Sequence, residues 1–388
     1  MRIAYVSADP GVPVFGCKGC SVHVQEVIRA LQRTGAVVEL HTVRTGGEAP
    51  ADLAGVRVFE YPLDRSGDAA NVERRARDID ESLFASMRSR PAYDLVYERY
   101  SLWSTAAMDF ARKSGIPGVI EVNAPLIEEQ ATHRTLVDRG YAEQVATHVF
   151  EAASVVVAVS REVAAYVCTT GADPDRVHVL PNGVDPGRFH PRDEASVSGD
   201  FTVGFVGSLK PWHDLTTLAA AYLILRRYHP NSRLLVVGDG PERTRLEELL
   251  ASEDAADSVI FSGAVQPIEV PTWMSRMDVG VAPYSQNAAK YFSPLKVLEY
   301  MAAGLPVLGS HTGQIPELVE DGRSGLLYYA EDAPALACAM LALADDPSLR
   351  LEMGRAGRDA VLQYHSWDGV VESTLRFARE AYPGQRPA

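Results

Sequence analysis

The chain lacks several features that would assign it to common functional classes. None of its 388 residues belongs to an apolar run long enough to span a membrane, and a strand-like segment begins near the N-terminus without a signal-peptide pattern. The net charge is −14, and Lys and Arg do not cluster, which argues against a nucleic acid or an anionic membrane as a partner. We therefore expect a cytoplasmic globular protein without integral membrane association.

Metal and redox motifs are also scarce. The chain has four cysteines, and Cys17 and Cys20 have the C-x-x-C spacing of redox and zinc sites, but no second pair accompanies them. The ten His residues never occur at H-E-x-x-H or H-x-H spacing. One Asp-x-Asp triplet, 78–80, lies in a charged helical window, which is more typical of a solvated face than of a metal site. We expect no metal and no cofactor.

The glycine motifs of three large enzyme classes are missing. A dinucleotide-binding dehydrogenase needs G-x-G-x-x-G, but Gly11, Gly16 and Gly19 are five and three residues apart, and the Gly238-Asp239-Gly240 turn has no third glycine. The P-loop pattern and the G-x-S-x-G nucleophile elbow do not occur either. These absences argue against dehydrogenases, P-loop nucleotidases and serine hydrolases.

What the chain does have is a repeated alternation of short, β-branched apolar runs with amphipathic helical windows. This alternation is typical of parallel sheets with crossover helices, and it occurs twice. The first set of predicted strands is 3–7, 37–43, 56–61, 95–97, 119–122, 155–159 and 177–180. The second set is 202–206, 234–237, 259–261, 279–282, 307–308 and 326–328. The sequence therefore predicts an α/β protein of two doubly wound, Rossmann-like parallel-sheet domains.

A polar, proline-bearing break separates the two sets. We predict a first domain over 1–190 that also includes a final helix in 366–388, a linker over 191–200, and a second domain over 201–365. Two such domains would face each other across a cleft, and clefts between domains are preferred small-molecule sites. In the first domain a glycine-bearing loop joins the first strand to a helix that we expect to begin with Ser21 as N-cap and to end at Gly35.

The stretch 291–307 predicts a short helix with a binding role. Ser293 is expected as its N-cap and Pro294 as its first residue, and Gly304 suits the left-handed position after its last turn. Lys296 and Glu299 are three residues apart and share a face. A lysine in the first turn opposes the helix dipole, so a bound phosphate would explain it. The alternative is a solvated Lys and a surface Glu.

Several segments of the second half together resemble a known family. They are 180–185 (Leu-Pro-Asn-Gly-Val-Asp), 204–209 (Gly-Phe-Val-Gly-Ser-Leu), 237–241 (Val-Gly-Asp-Gly-Pro), 261–265 (Phe-Ser-Gly-Ala-Val), 293–307 and 313–319. In this order they resemble the nucleotide-sugar-binding domain of retaining GT-B glycosyltransferases of family four. The first half matches more loosely, mainly through the loop ending in Gly19. The resemblance implies the GT-B fold, with the last helix crossing back to the first domain.

The resemblance also implies roles, and two departures from the family pattern matter. Glu299 matches the second Glu of the family's E-x7-E pair and is expected on the donor ribose, whereas the first Glu falls at Tyr291. The family's Arg and Lys for the diphosphate fall at Ser208 and His213.

A subset of the family looks similar to this chain, with Pro-Trp-His after the glycine and Ser-Pro-Leu-Lys before the Glu. We therefore expect Lys210 and Lys296 to replace the missing cations. For Lys210 the alternative is a surface lysine of a loop, and for His213 it is a capping or packing role.

The remaining candidate residues come from the same comparison. The expected catalytic residues are Lys210, Lys296, Glu299 and Asn123, and the last of these follows the fifth strand. The expected donor-binding residues are Gly19, Ser208, Lys210, His213, Gly263, Val265, Ser293, Lys296, Glu299 and Gly313. Glu98, Arg99 and Asn123 are expected on the acceptor side, although Glu98 and Arg99 also fit a salt-bridged strand end.

The function that the resemblance implies is a retaining, metal-independent transfer of a sugar from a nucleoside diphosphate sugar to an acceptor hydroxyl. UDP-sugar or GDP-sugar is the expected co-substrate, and a small molecule or glycan is the expected acceptor. Catalysis would consist of positioning and stabilisation of the leaving diphosphate. Alternatives are a nucleotide-sugar epimerase, a phosphorylase, or a non-catalytic protein of the same fold that binds a nucleotide sugar or a partner.

Overall fold

The computed structural model describes residues 1–192, 200–251, 255–286, 291 and 293–382. The chain divides into two compact units. The first consists of Met1–Asn182, Tyr291–Ser293 and Trp367–Ala388, and the second of Gly183–Lys290 and Pro294–Ser366. The first unit thus ends earlier than the predicted boundary at residue 190. Most of the predicted linker, 193–199, lies outside the described residues.

In the described part of the first unit, seven parallel strands form one sheet in the order β3-β2-β1-β4-β5-β6-β7. The strands are β1 (Arg2–Ser7), β2 (Val37–Thr42), β3 (Arg57–Glu60), β4 (Leu95–Arg99), β5 (Gly118–Val122), β6 (Val155–Ala158) and β7 (Val177–Val179). The helices are α1 (Gly19–Arg33), α2 (Ala69–Arg88), α3 (Ala106–Ser114), α4 (Leu126–His133), α5 (Arg139–Ala152), α6 (Arg161–Thr170) and α14 (Trp367–Ala381).

The second unit repeats this plan, with six parallel strands among its described residues in the order β10-β9-β8-β11-β12-β13. The strands are β8 (Thr202–Val206), β9 (Arg233–Val237), β10 (Val259–Gly263), β11 (Val279–Ala282), β12 (Val307–Ser310) and β13 (Gly325–Tyr328). The helices are α7 (Leu215–Tyr228), α8 (Arg243–Ala251), α9 (Val270–Met274), α10 (Leu295–Ala302), α11 (Ile315–Leu318), α12 (Ala333–Asp345) and α13 (Pro347–Tyr364).

Every predicted strand segment is present, with ends that shift by at most a few residues. Central strands such as β6, β8 and β11 are buried on both faces of their sheets, so their sequences are continuous apolar runs and not alternating ones. The predicted final helix is also present as α14 and belongs to the first unit. There it packs beside α1, where the rings of His23 and Trp367 meet edge to face with centroids 4.8 Å apart.

Two predicted helix starts are wrong. Helix α1 begins at Gly19, with Lys18 in the cap position, and Ser21 is a buried residue inside its first turn. Helix α10 begins at Leu295, one residue after the predicted Pro294. The hydroxyl of Ser293 does not cap α10, because it accepts a hydrogen bond from the backbone N–H of Asn182 at 2.9 Å.

The helix ends agree better with the sequence. Gly35 and Gly304 both have positive φ, 83° and 68°, just beyond the last turns of α1 and α10. This left-handed conformation is the one that glycine adopts without a steric penalty. Among the described residues, no helix combines the length and the apolar composition needed to cross a bilayer.

Candidate functional site

The second unit collects most of the predicted donor residues at one edge of its sheet. The strand order reverses between β8 and β11, so the loops that leave the carboxyl ends of these neighbouring strands diverge. In open α/β sheets ligands bind at such a switch point. The loop after β8 carries Ser208, Lys210 and His213, and helix α10, with Lys296 and Glu299, follows the segment that leaves β11.

Glycines allow the loops at this edge to pack backbone against backbone. A Cβ atom on Gly238 would lie 2.1 Å from the carbonyl oxygen of Gly207, and one on Gly240 would lie 2.4 Å from that of Leu209. Gly207 and Gly238 both have φ of 137°, which L side chains rarely adopt. The loop after β8 is therefore held in one conformation by the turn after β9, and larger residues would separate the two.

Lys296 is the central cation of this edge. It points from the first turn of α10 toward the loop after β8, and its Nζ lies 3.0 Å from Nε2 of His213. Nδ1 of the same imidazole lies 2.7 Å from the carbonyl oxygen of Ser208. A carbonyl oxygen only accepts, so Nδ1 carries the proton and Nε2 presents its lone pair to Lys296.

The charge state of this pair follows from its burial. Lys296 is 8% exposed, and this burial lowers the pKa of its ammonium to about 7, although Glu299 favours the charged form. Burial, reinforced by Lys296, also lowers the pKa of His213 to about 2. His213 is therefore a neutral acceptor at physiological pH, and Lys296 titrates near neutrality. Lys296 and His213 therefore form a candidate anion-binding site.

Aromatic rings complete the surroundings of Lys296. Its Nζ lies 4.1 Å from the ring centroid of Phe205 and 5.4 Å from that of Tyr284. Such contacts stabilise a cation without neutralising it. Neither ring was among the residues predicted from the sequence. Phe205 lies on β8 and Tyr284 in the segment after β11, and both elements pack around the lysine.

Lys210 and Glu299 occupy more open positions at the same edge. Lys210 is half-buried, with its Nζ 6.0 Å from the ring centroid of Trp212. Its backbone closes the turn, because its carbonyl oxygen accepts from the N–H of His213 at 2.9 Å. Glu299 is half-buried on α10, one turn after Lys296. Both side chains therefore have access to solvent beside the buried lysine.

The other predicted donor residues lie in neighbouring loops. Gly263 ends β10 with φ of 70°, and its carbonyl oxygen accepts from the N–H of Gly238 at 3.1 Å. Val265 follows it and is half-buried, and Gly313 has φ of 56° between β12 and α11. These residues belong to the second unit, whereas Ser293 and Gly19 belong to the first. Gly19 is exposed as the first residue of α1.

The first unit has its own polar cluster at the carboxyl end of β5. The side-chain amide of Asn123 donates to Oε1 of Glu121 at 2.7 Å, and the hydroxyl of Tyr97 donates to Oε2 at 2.7 Å. Nε2 of His23 also contacts Oε1 of Glu121. Because Nδ2 of Asn123 is engaged by the carboxylate, the orientation of its carbonyl group is fixed.

Glu121 was not among the residues predicted from the sequence. It is 2% exposed, and burial alone would raise its pKa, but His23, Arg99 and Tyr97 together lower it to about 2. The nearest guanidinium nitrogen of Arg99 lies 3.9 Å from Oε1. The sequence does carry a signal for it, because Glu121 is the one charged residue in an otherwise apolar strand segment, 118–122.

Glu98 requires a correction. Its side chain is 0% exposed within the apolar core that β4 shares with α2, α3 and α5, so it does not line an acceptor surface or pair with Arg99. Successive residues of a strand face opposite sides of the sheet, which places Glu98 on the face away from Arg99 and Tyr97. Burial raises the pKa of Glu98 well above its usual range.

The cysteines of the C-x-x-C pair are present as thiols, and Asp80 of the Asp-x-Asp triplet is hydrogen-bonded to the backbone before α3. Cys17 is exposed and Cys20 half-buried beside the start of α1, and neither takes part in a disulfide. Asp80 does not belong to a solvated face, because its carboxylate accepts from the backbone N–H of Thr105 at 2.7 Å before α3. No group of His, Cys, Asp and Glu in the described ranges has the geometry of a metal site.

Comparisons with known proteins identify the kind of enzyme to which the chain belongs. A family model described as Glycosyltransferase Family 4 matches residues 18–188, and one described as Glycosyl transferases group 1 matches residues 200–346. The chain is a glycosyltransferase. Its two parallel-sheet units are the two Rossmann-like domains of the GT-B fold, so the predicted fold class and enzyme class are confirmed.

Curated relatives match this glycosyltransferase over nearly all of its length. D-inositol 3-phosphate glycosyltransferase of Pseudarthrobacter chlorophenolicus is 29% identical over 92% of this chain and 89% of the relative. Alpha-maltose-1-phosphate synthase of Mycolicibacterium smegmatis is 29% identical over 98% and 99% of the two chains. Among solved structures, sucrose-phosphate synthase of Thermosynechococcus elongatus superposes with a TM-score of 0.75 at 21% identity, over 99% of this chain and 100% of that one.

Proposed function

We propose that this glycosyltransferase moves a sugar from a nucleoside diphosphate sugar to a hydroxyl of a small polar acceptor, with retention of the anomeric configuration and without a metal ion. UDP-sugar and GDP-sugar are the first donors to test. The observation that carries the proposal is the buried Lys296, held against the glycine-lined loop after β8 at the switch point of the second unit's sheet.

The leaving group determines what the second unit must supply. When the bond between the anomeric carbon and the diphosphate breaks, negative charge accumulates on the phosphate oxygens, and fixed cations stabilise that charge. Lys296 is the buried cation and Lys210 the more exposed one. They would replace the Arg and Lys of the family pattern, which fall at Ser208 and His213 in this chain. Glu299, next to Lys296, is the candidate acceptor of hydrogen bonds from the donor ribose.

The first unit supplies the acceptor side of this proposal. Asn123 directly follows β5 and Arg99 is the last residue of β4, and the strand order of that sheet reverses between β1 and β4. The fixed carbonyl group of Asn123 suits a hydrogen bond from a sugar hydroxyl, and the guanidinium of Arg99 suits an anionic group. The acceptor hydroxyl forms the new bond to the anomeric carbon, and its proton leaves with the diphosphate or to solvent.

The names of two relatives suggest which acceptors to test first. One acts on D-inositol 3-phosphate and another makes maltose 1-phosphate. A phosphorylated polyol or sugar is therefore the first acceptor class to test on this chain, ahead of unphosphorylated glycans.

Turnover separates the proposal from its alternatives. Purified protein would be incubated with UDP- and GDP-sugars, with and without inositol phosphates and sugar phosphates, and the released nucleotide would be measured. Release that depends on the acceptor supports a transferase, whereas conversion of the donor alone indicates an epimerase or a hydrolase. Binding without any turnover indicates a non-catalytic protein. NMR of the product tests retention, and activity in excess EDTA tests metal independence.

Matched variants connect the activity to the site. Lys296→Met should lower kcat at least a hundredfold, since it removes a buried cation that stabilises the developing charge. Lys113→Met removes an exposed lysine of α3 and serves as the control for loss of charge. Equal activities of the two variants would contradict the assignment of Lys296.

A further inference from the structure

The hydrogen bonds around His213 all have a defined direction. Nδ1–H donates to the carbonyl oxygen of Ser208 at 2.7 Å, and Nε2 accepts from Nζ of Lys296 at 3.0 Å. The imidazole is 7% exposed, so solvent does not substitute for either partner. His213 therefore connects the backbone of the loop after β8 to the first turn of α10.

The loop itself leaves room for the lysine. Gly207 has no Cβ, and a Cβ there would lie 3.0 Å from Nζ of Lys296. The titratable groups that face or adjoin this ammonium are His213 from the loop after β8, Tyr284 from the segment after β11, and Glu299 and Tyr300 from α10. His213 and the two tyrosines are neutral at physiological pH, because burial lowers the pKa of His213 to about 2 and raises the pKa of each tyrosine.

We propose that His213 is a positioning residue that holds Lys296 against this loop in readiness for the diphosphate, and that nucleotide binding is accompanied by uptake of one proton onto Nζ of Lys296. This inference rests on the proposed function, since it assumes that the diphosphate binds beside Lys296. The proton comes from the buffer and forms an N–H bond on the neutral amine, and no other bond changes.

Proton uptake is expected because the empty site favours the neutral amine of Lys296 more than the occupied site does. In the empty site burial lowers the pKa of Lys296 to about 7, so a large share of the molecules carries a neutral amine at slightly alkaline pH. A diphosphate close to Nζ favours the ammonium strongly. Terminal phosphates have a second pKa near 6, so at pH 8 the free nucleotide is fully ionised and contributes little to the proton balance.

Calorimetry measures this uptake directly. UDP and GDP would be titrated into the full chain at pH 8 in two buffers with different ionisation enthalpies, and the difference in binding enthalpy gives the number of protons exchanged. Uptake of more than about half a proton per bound nucleotide is expected for the unmodified protein, because burial lowers the pKa of Lys296 to about 7 in the empty site. Lys296→Arg is the matched control, because arginine stays protonated; it should bind with no proton uptake.

Variants of His213 test the positioning role. His213→Phe removes the acceptor and should weaken nucleotide affinity about ten- to a hundredfold, as for loss of a hydrogen bond to a charged group. It should also shift the pH profile of affinity to lower pH, which a purely structural defect would not do. His213→Gln keeps an acceptor oxygen and should restore much of the affinity.

The outcomes are distinguishable. Binding by the unmodified protein without proton uptake would overturn this inference and leave the proposed function standing, as would unchanged affinity and pH profile in His213→Phe. If no nucleotide bound at all, both the inference and the proposed function would be overturned.

Discussion

Replacing Lys296 by methionine should stabilise the folded protein while it removes activity. The ordinary pKa of a lysine is 10.5, and burial lowers the pKa of Lys296 to about 7. At about 1.4 kcal/mol per pH unit, this difference corresponds to a folding penalty of about 5 kcal/mol when the group is charged. Methionine has a similar length and no charge, so it avoids this penalty, and the loss of the donor to Nε2 of His213 offsets only about 1–3 kcal/mol of the gain.

The stabilisation by Lys296→Met should decrease as the pH rises. Below pH 7 Lys296 is protonated in both the folded and the unfolded protein, and the full penalty applies. Between pH 7 and 10.5 the folded protein loses the proton first, so the penalty decreases as the pH rises. The free energy of unfolding of Lys296→Met should therefore exceed that of the unmodified protein at pH 6, and this difference should be about 3 kcal/mol smaller at pH 9.

Urea denaturation at the two pH values, followed by tryptophan fluorescence, measures these differences. Lys113→Met, which removes an exposed lysine, controls for loss of one positive charge. A Lys296→Met protein that is less stable at pH 6, or a gap that does not narrow at pH 9, would refute the reasoning. Gain of stability with loss of activity is the trade-off expected of a strained functional group.

Three further predictions concern other parts of the molecule. Gly238→Ala should destabilise the second unit by about 3 kcal/mol or more, since its Cβ would lie 2.1 Å from a backbone oxygen. The control is Gly322→Ala, at φ of 76° with open space around it, which should cost only about 1 kcal/mol. Equal urea midpoints for the two variants would contradict this prediction. Glu121→Gln should destabilise the first unit by about 3 kcal/mol at pH 7. Because the folded pKa of this carboxyl is lowered from 4.5 to about 2, the stability it contributes is present above pH 4.5 and is lost as the pH falls toward 2, so thermal melts of the two proteins should converge in acid. Replacing Cys17 and Cys20 together by serine should leave transferase activity within about twofold, as for surface substitutions in general; a large loss would revive a role for the thiols.

The strands could be predicted from the sequence because of how parallel sheets bury them. Strands covered on both faces are continuous apolar runs, and segments such as 202–206 and 279–282 have the same bounds in the structure as in the sequence analysis. Helix ends were less predictable. A serine before a helix is a good N-cap only when its hydroxyl has no other hydrogen-bond partner. The hydroxyl of Ser293 instead accepts from the backbone N–H of Asn182, 111 residues earlier.

The candidate site was predictable in its residue types but not in its partnerships. The spacing of Lys296 and Glu299 pointed to a charged face on α10, and the structure instead buries the lysine. Its partner His213 lies 83 residues earlier in the chain, and no local pattern connects the two. The role of Glu121 could not be predicted for the same reason, because it depends on contacts with His23 and Asn123 that form at the end of β5 only in the folded chain.

The most direct test of the account is a thermal-shift panel of UDP, GDP, ADP, dTDP and CDP on the unmodified protein and on Lys296→Ala. A nucleotide present at about a hundred times its dissociation constant stabilises the folded protein by about 2.7 kcal/mol, which is readily detected. The account predicts that one nucleoside diphosphate raises the melting temperature of the unmodified protein and that this shift is largely lost in Lys296→Ala. No shift with any nucleotide, or the same shift in both proteins, would contradict it.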